Sequence, residues 1–168
     1  NADGAGLSLE QLAKLCLDEV LIVGRSILLP ASPPSEPGLS AEEVARRNLQ
    51  ARITTYAAEA ADNWKFELVG GVMKLTMIKL CEQTEIEKDE FTVEIKKQYR
   101  VLRLRNGVYT QAIYDDKGDI VVDEFAPVDF TGSTFDHIPL QIIGAENNRP
   151  DIDQAPISGI VDLNTAHY

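Results

Sequence analysis

A chain of 168 residues, 44% of them apolar, holds enough apolar side chain for one good core, and its composition is not that of a disordered segment. Its formal charge of −11 argues against a surface built to grip DNA or an anionic membrane, because phosphate binding relies on clustered Lys and Arg. No apolar run approaches the roughly 20 residues that cross a bilayer, and the size predicts a single domain over residues 3–168.

Asn1-Ala2-Asp3-Gly4 carries no initiator Met, apolar leader or cleavage-site pattern. The chain therefore reads as an internal piece of a larger protein, with Asn1 and Ala2 as an expression remnant. Ser8-Leu9-Glu10-Gln11 fits a capping box, in which the hydroxyl serves a free amide of the first turn and Gln11 reaches back. Leu12, Leu15, Cys16, Val20 and Val23 then mark a helix closing at Gly24, and Arg25 to Leu29 follows as a short apolar strand. Residues 30–39 hold four prolines and predict a surface loop, since proline suits neither a helix nor a sheet interior. Ser40 opens a second helix, with Glu43 at the reciprocal position, that runs to Gln50.

From Arg52 the apolar period changes to two, the repeat of a strand. Ile53 to Tyr56 is a strand, Ala57 to Asn63 a helical turn, and Trp64 to Leu68 a strand entering the turn Val69-Gly70-Gly71. Val72 to Leu80 alternates in polarity and predicts a strand with one wet face. The acidic run from Glu82 to Glu90 predicts a long exposed hairpin loop. Phe91 to Leu104 returns as a strand. Asn106-Gly107 is a strong hairpin signal, because both residues tolerate the positive φ of a type I′ turn. Val108 to Tyr114 and Ile120 to Phe125 add two strands around an Asp-rich turn. The expected class is α+β, an antiparallel meander with helices toward the two ends of the chain. A last apolar strand precedes Gly144, and Ile157 to Tyr168 reads as the start of a helix that belongs to a longer element.

Few residues invite chemistry. Cys16 and Cys81 sit in apolar runs and read as buried free thiols. Glu94-Ile95-Lys96 resembles the Glu-x-Lys half of a Mg²⁺-dependent nuclease site, with both side chains on one face of a strand, but no partner Asp is evident. Asp115, Asp116 and Asp119, and the pair Asp151 and Asp153, lack the spacing of a calcium loop and read as turn residues. Asp136-His137 suggests a dyad, yet adjacent residues of an extended segment point to opposite faces, which predicts no side-chain hydrogen bond between them. His167 reads as polar packing, and Trp64 and Tyr99 as core or interface aromatics. No phosphate-binding glycine loop, Cys-x-x-Cys or Gly-x-Ser-x-Gly is present, and no catalytic residue, cofactor or metal site is assigned.

A series of short blocks, taken in order, resembles the portal proteins of tailed phages, in a prophage-encoded branch known as a domain of unknown function. The blocks are Asp3-Gly4 with Leu7-Ser8-Leu9, Glu19 through Leu29, Tyr56-Ala57-Ala58-Glu59 through Trp64, Leu80-Cys81-Glu82, Tyr99-Arg100-Val101-Leu102, and His137-Ile138-Pro139 with Gly144 through Asn148, leading to Pro156 and Asp162 through Tyr168. The resemblance implies a wing region whose last residues enter a stem helix. It also implies a structural virion protein found in the virion and, during assembly, in the host cytoplasm. Such a subunit self-associates into a ring and meets the packaging motor, capsid and head-completion proteins, while DNA passes through without specific binding. Pro33, Pro34, Pro37 and the Ser40 helix depart from that pattern, and the stem and clip are absent. Motif position points to Arg25, Trp64, His137 and Tyr168 as interface residues. The alternatives from other classes are a Mg²⁺-dependent nuclease using Glu94 and Lys96, and a phage adaptor domain unrelated to portals.

Overall fold

The computed structural model describes residues 1–31, 40–47, 51–129 and 131–167. The expected loop at 32–39, the end of the second helix at 48–50, and Tyr168 lie outside them. The fold is α+β, and its contacts group into two compact units, Asn1–Glu59 with Pro139–Tyr168 and Ala60–Ile138.

The first unit opens with α1 (Leu9–Val23). The Ser8 hydroxyl accepts from the Gln11 amide, and the Gln11 side chain accepts from the Ser8 amide, completing the capping box. Gly24 ends the helix at φ 91°, a left-handed conformation that strains any residue with a Cβ. The chain then enters β1 (Arg25–Ala31), which lies between β2 (Arg52–Ala57) and β8 (Gln141–Gly144), both antiparallel to it. Pro30 extends the strand beyond its expected end. β8 pairs only with Arg25–Leu28, so at Pro30 one side of β1 has no neighbouring strand and the missing N–H breaks no ladder there. Ile27, Tyr56 and Ile142 stand in register on one face of this sheet and are buried. Leu28, Ile53 and Ile143 face α1, which buries Leu12 and Cys16. Asn1 and Ala2 join the unit through the Asn1 side chain, which accepts from Gly4 and Gly6, and through the Ala2 carbonyl, which accepts from Ile53. The short α2 (Ala41–Arg46) starts at Ser40, whose hydroxyl accepts from the Glu43 amide. A terminal α3 (Ser158–Ala166) buries none of its residues.

The second unit is a five-stranded antiparallel meander in sequence order: β3 (Ala61–Val69), β4 (Val72–Asp89), β5 (Thr92–Arg105), β6 (Val108–Asp115) and β7 (Ile120–Phe125). A one-turn 3₁₀ helix, Ala58–Ala60, stands where the helical turn was expected. Asn106 at φ 53° and Gly107 at φ 77° form the β5–β6 turn with the positive φ values a two-residue hairpin needs. One sheet face carries most of the core, with Thr76, Ile78 and Leu80 of β4 against Leu102 and Leu104 of β5 and Tyr109 of β6, while Val101 and Ala112 are buried on the other. Burial pushes the Tyr109 phenol up to about 12.

The expected acidic loop at Glu82–Glu90 is instead strand. β4 runs on to Asp89 and β5 begins at Thr92, with a tight turn between. β3 reaches only to Leu80 and β6 only to Gln98, so among the described residues Gln83–Asp89 and Thr92–Lys97 pair with each other alone, as a two-stranded ribbon. Charge gave the wrong expectation because Thr84, Ile86, Val93 and Ile95 supply strand-forming residues at alternate positions and the backbone ladder is indifferent to carboxylates in water. At the root of the ribbon, Glu82 accepts from Arg100 Nε at 2.6 Å and Nη2 at 3.3 Å, and from Gln98 Nε2 at 2.8 Å, while Arg100 Nη1 donates to Gln111 at 3.2 Å. This forked pair is mostly shielded from water, where such bonds are strongest.

Leu102 is fully buried in the middle of the meander, and Trp64, the single tryptophan, pairs with Ile78 in the same sheet. Leu102→Ala is expected to cost about 2–5 kcal/mol, read as a lowered urea midpoint of Trp64 fluorescence.

Candidate functional site

The most constrained cluster lies in the first unit, where α1 hands over to β1. Arg25 is only 1% exposed, and its Nη2 donates to the Ala58 carbonyl at 3.1 Å. Its Nε and Nη1 meet no acceptor among the described residues. Desolvation lowers the guanidinium pKa, opposed by the carboxylates of Asp151, Asp153 and Glu59, and the group stays charged because guanidinium does not deprotonate in proteins.

Asp153 is nine-tenths buried and ties down the loop after β8. Its Oδ2 accepts from the backbone amides of Glu146 at 2.9 Å and Asn147 at 3.2 Å, and its Oδ1 from the Asn147 side-chain amide at 2.8 Å. These backbone donors, and then Arg25, hold its carboxyl below the ordinary value of 3.8. Two glycines admit this arrangement. A Cβ on Gly24 would meet the Asp153 carbonyl, and a Cβ on Gly144 would meet the Asn147 carbonyl and the Asp153 carboxylate. Asp153 itself lies outside any turn and ties down a loop six and seven residues before it. The Ala145 amide donates to the Gly24 carbonyl at 2.9 Å and closes the same cluster. It orders a polar loop inside the unit.

The other residues singled out from the sequence fall far apart in kind. Trp64 is half-buried on β3. His137 is exposed, with Phe135 edge-on to its ring, and its Nδ1 lies 2.8 Å from Asp136 Oδ1. That hydrogen bond overturns the expectation of opposite faces. Residues 136–137 lie in a bend, outside any strand, so the strict alternation of a strand does not apply. The bond holds the Asp136 carboxyl below its ordinary value. Tyr168 lies outside the described residues. Cys16 is buried and Cys81 half-buried, both free. Asp115 accepts from Lys117 and Asp119 amides within its own turn.

Glu94 and Lys96 share a strand face as expected, 3.9 Å apart and half-exposed. Their cross-strand neighbours are Ile86 and Thr84, so no second carboxylate stands opposite. Among the described residues, no group of three or more His, Cys, Asp or Glu side chains could hold a metal ion. No described helix is long and apolar enough to cross a membrane.

What the surface does present is bare apolar side chain. In the first unit Leu15, Leu17 and Ile22 of α1 and Ile160, Val161 and Leu163 of α3 are exposed. A groove of about 300 Å³ opens beside α1, floored by Leu28, Ile53 and Ile143. In the second unit the ribbon exposes Phe91, Val93 and Ile95. Solitary exposed leucines are ordinary, but runs of them on several elements mark interaction surfaces.

Comparison with models of known protein families matched none, and comparison with curated proteins matched none either.

Gly144→Ala is expected to cost about 3 kcal/mol through overpacking against backbone, seen as faster amide exchange in β1 and β8. Gly159→Ala, in open space on α3, is the neutral comparison. Because the Asp153 pKa is lower folded than unfolded, its contribution is complete above pH 3.8 and disappears as pH falls through the lower folded value. The melting temperature of the wild type is expected to fall more steeply below pH 3.8 than that of Asp153→Asn.

Proposed function

We propose that the chain is a non-enzymatic structural domain of a large protein assembly, and more finely the wing region of a tailed-phage portal subunit. The observation that carries the coarser reading is apolar surface left bare on regular elements. α3 is the sharpest case, a nine-residue helix with no buried residue. A helix this short gains little from its own hydrogen bonds and needs a packed face or a longer continuation. Both needs are met if α3 continues as a stem and packs against neighbouring subunits.

The finer reading takes its support from the ordered blocks of residues described above and from charge. A chain of net charge −11 suits the wall of a DNA conduit, since repulsion keeps phosphate from sticking and lets the duplex slide. In that role the subunit closes into a ring with its copies, docks the packaging motor and head-completion proteins, and takes no cofactor. The nuclease alternative has weaker geometry: Glu94 supplies one carboxylate where metal-assisted phosphoryl chemistry draws on a cluster of ligands.

The deciding measurement is the mass and negative-stain image of the protein extended beyond α3, beside the 168-residue chain. A closed ring with a central channel from the longer chain is the expected result, with no retardation of duplex DNA by either. Monomers or dimers from both, across salt concentrations, would overturn the portal reading, and plasmid cleavage lost in Glu94→Ala would replace it with the nuclease.

A further inference from the structure

The β4–β5 ribbon has two faces of different character. On one, Glu94 and Lys96 neutralise each other beside Thr84 and Ile86. On the other, β5 presents Val93 and Ile95, continuing to Phe91 at the turn, with exposures of 55%, 63% and 92%. Directly across from Ile95 stands Glu85, and across from Val93 stands Glu87. The second face is thus an apolar stripe bordered by the carboxylates of Glu85 and Glu87, with exposed Lys97 only at its root beyond Ile95, and among the described residues neither ribbon strand has another neighbour on its outer edge. A two-stranded ribbon is marginal by itself in water, so this one gains most from a covering partner.

We propose that this face is a docking arm for an amphipathic segment of another protein, apolar along one side and flanked by Lys or Arg. The apolar side covers Phe91, Val93 and Ile95, and the basic flank meets Glu85 and Glu87, a pairing of apolar anchors with complementary charge. A second copy of this chain is a poor occupant. α1 carries Glu10, Asp18 and Glu19 against Lys14 alone, α3 carries Asp162 with no Lys or Arg, and Arg46 and Arg47 at the end of α2 are engaged by Glu43, so none of the described helices brings a free basic flank. An anionic membrane is repelled by the same border. The inference rests on the assembly reading only in taking bare apolar surface as interface, and ring formation is read separately from capture of a segment.

The test uses the 168-residue chain and two labelled helical peptides, one patterned with leucine and lysine and one with leucine and glutamate, followed by fluorescence anisotropy. The leucine–lysine peptide is expected to bind the wild type and to lose at least about tenfold in affinity to Ile95→Ser and to Phe91→Ser, the size of one buried anchor. Phe91 lies in the turn between the strands, so Phe91→Ser keeps the test valid if Ile95→Ser loosens the ribbon. In Glu85→Lys with Glu87→Lys, the preference is expected to reverse toward the leucine–glutamate peptide. Equal binding of the lysine peptide to wild type and both serine variants would overturn the proposal in favour of general attraction to an acidic chain. Self-association lost in Phe91→Ser would overturn it in favour of a second copy. An intact ring from the longer chain carrying Phe91→Ser, with the peptide no longer bound, would leave the assembly reading standing and support the arm as a separate site.

Discussion

The burial of Arg25 is the constraint on which the first unit turns. A guanidinium cannot shed its charge, so removing it from water requires acceptors and counter-charges brought in from elsewhere in the chain. They come from two separated stretches: the carbonyl of Ala58 with the carboxylate of Glu59, and the carboxylates of Asp151 and Asp153. Asp153 in turn orders Glu146 and Asn147 through its own hydrogen bonds. The end of α1, the start of β1, the end of β2 and the loop after β8 are thereby committed to one small volume. Glycine at 24 and 144 is the steric condition for that packing, since a Cβ at either would collide with the backbone around Asp153.

The second unit is organised by different physics. Its meander buries a continuous apolar face from Thr76 to Leu80 and from Leu102 to Leu104, with local hairpins throughout. Where β3 and β6 stop, so does that core, and the forked contact of Arg100 with Glu82 takes over as the last shared anchor. Beyond it the ribbon is held mainly by backbone pairing, with Asp89 accepting from the Phe91 amide at the turn, and shows its side chains to solvent. A surface of this kind is consistent with a protein whose remaining stabilising contacts are made with other chains.

Much of the architecture was legible from local signals. The capping box at Ser8, the stop at Gly24 and the Asn106-Gly107 turn each depend on a few adjacent residues, and each stands where the sequence places it. The failures share a cause as well. The ribbon was read as a loop because its charge was weighed against its alternation, and Asp136 with His137 was treated as extended when the chain bends there. The candidate clusters were harder still. No spacing in the sequence links Arg25 to Asp153 across so long a stretch of chain.

What the sequence by itself determined is the α+β class, the order of helices and strands, and an acidic net charge, because periodicity, caps, turns and net charge are properties of short windows or of composition. Only the tertiary structure decided that Arg25 is buried within the field of Asp153, that Gly144 must lack a side chain, and that the apolar stripe of Phe91, Val93 and Ile95 faces water beside Glu85 and Glu87. Burial and partnership depend on register and on which strand ends first, and those are settled by contacts between residues distant in the chain.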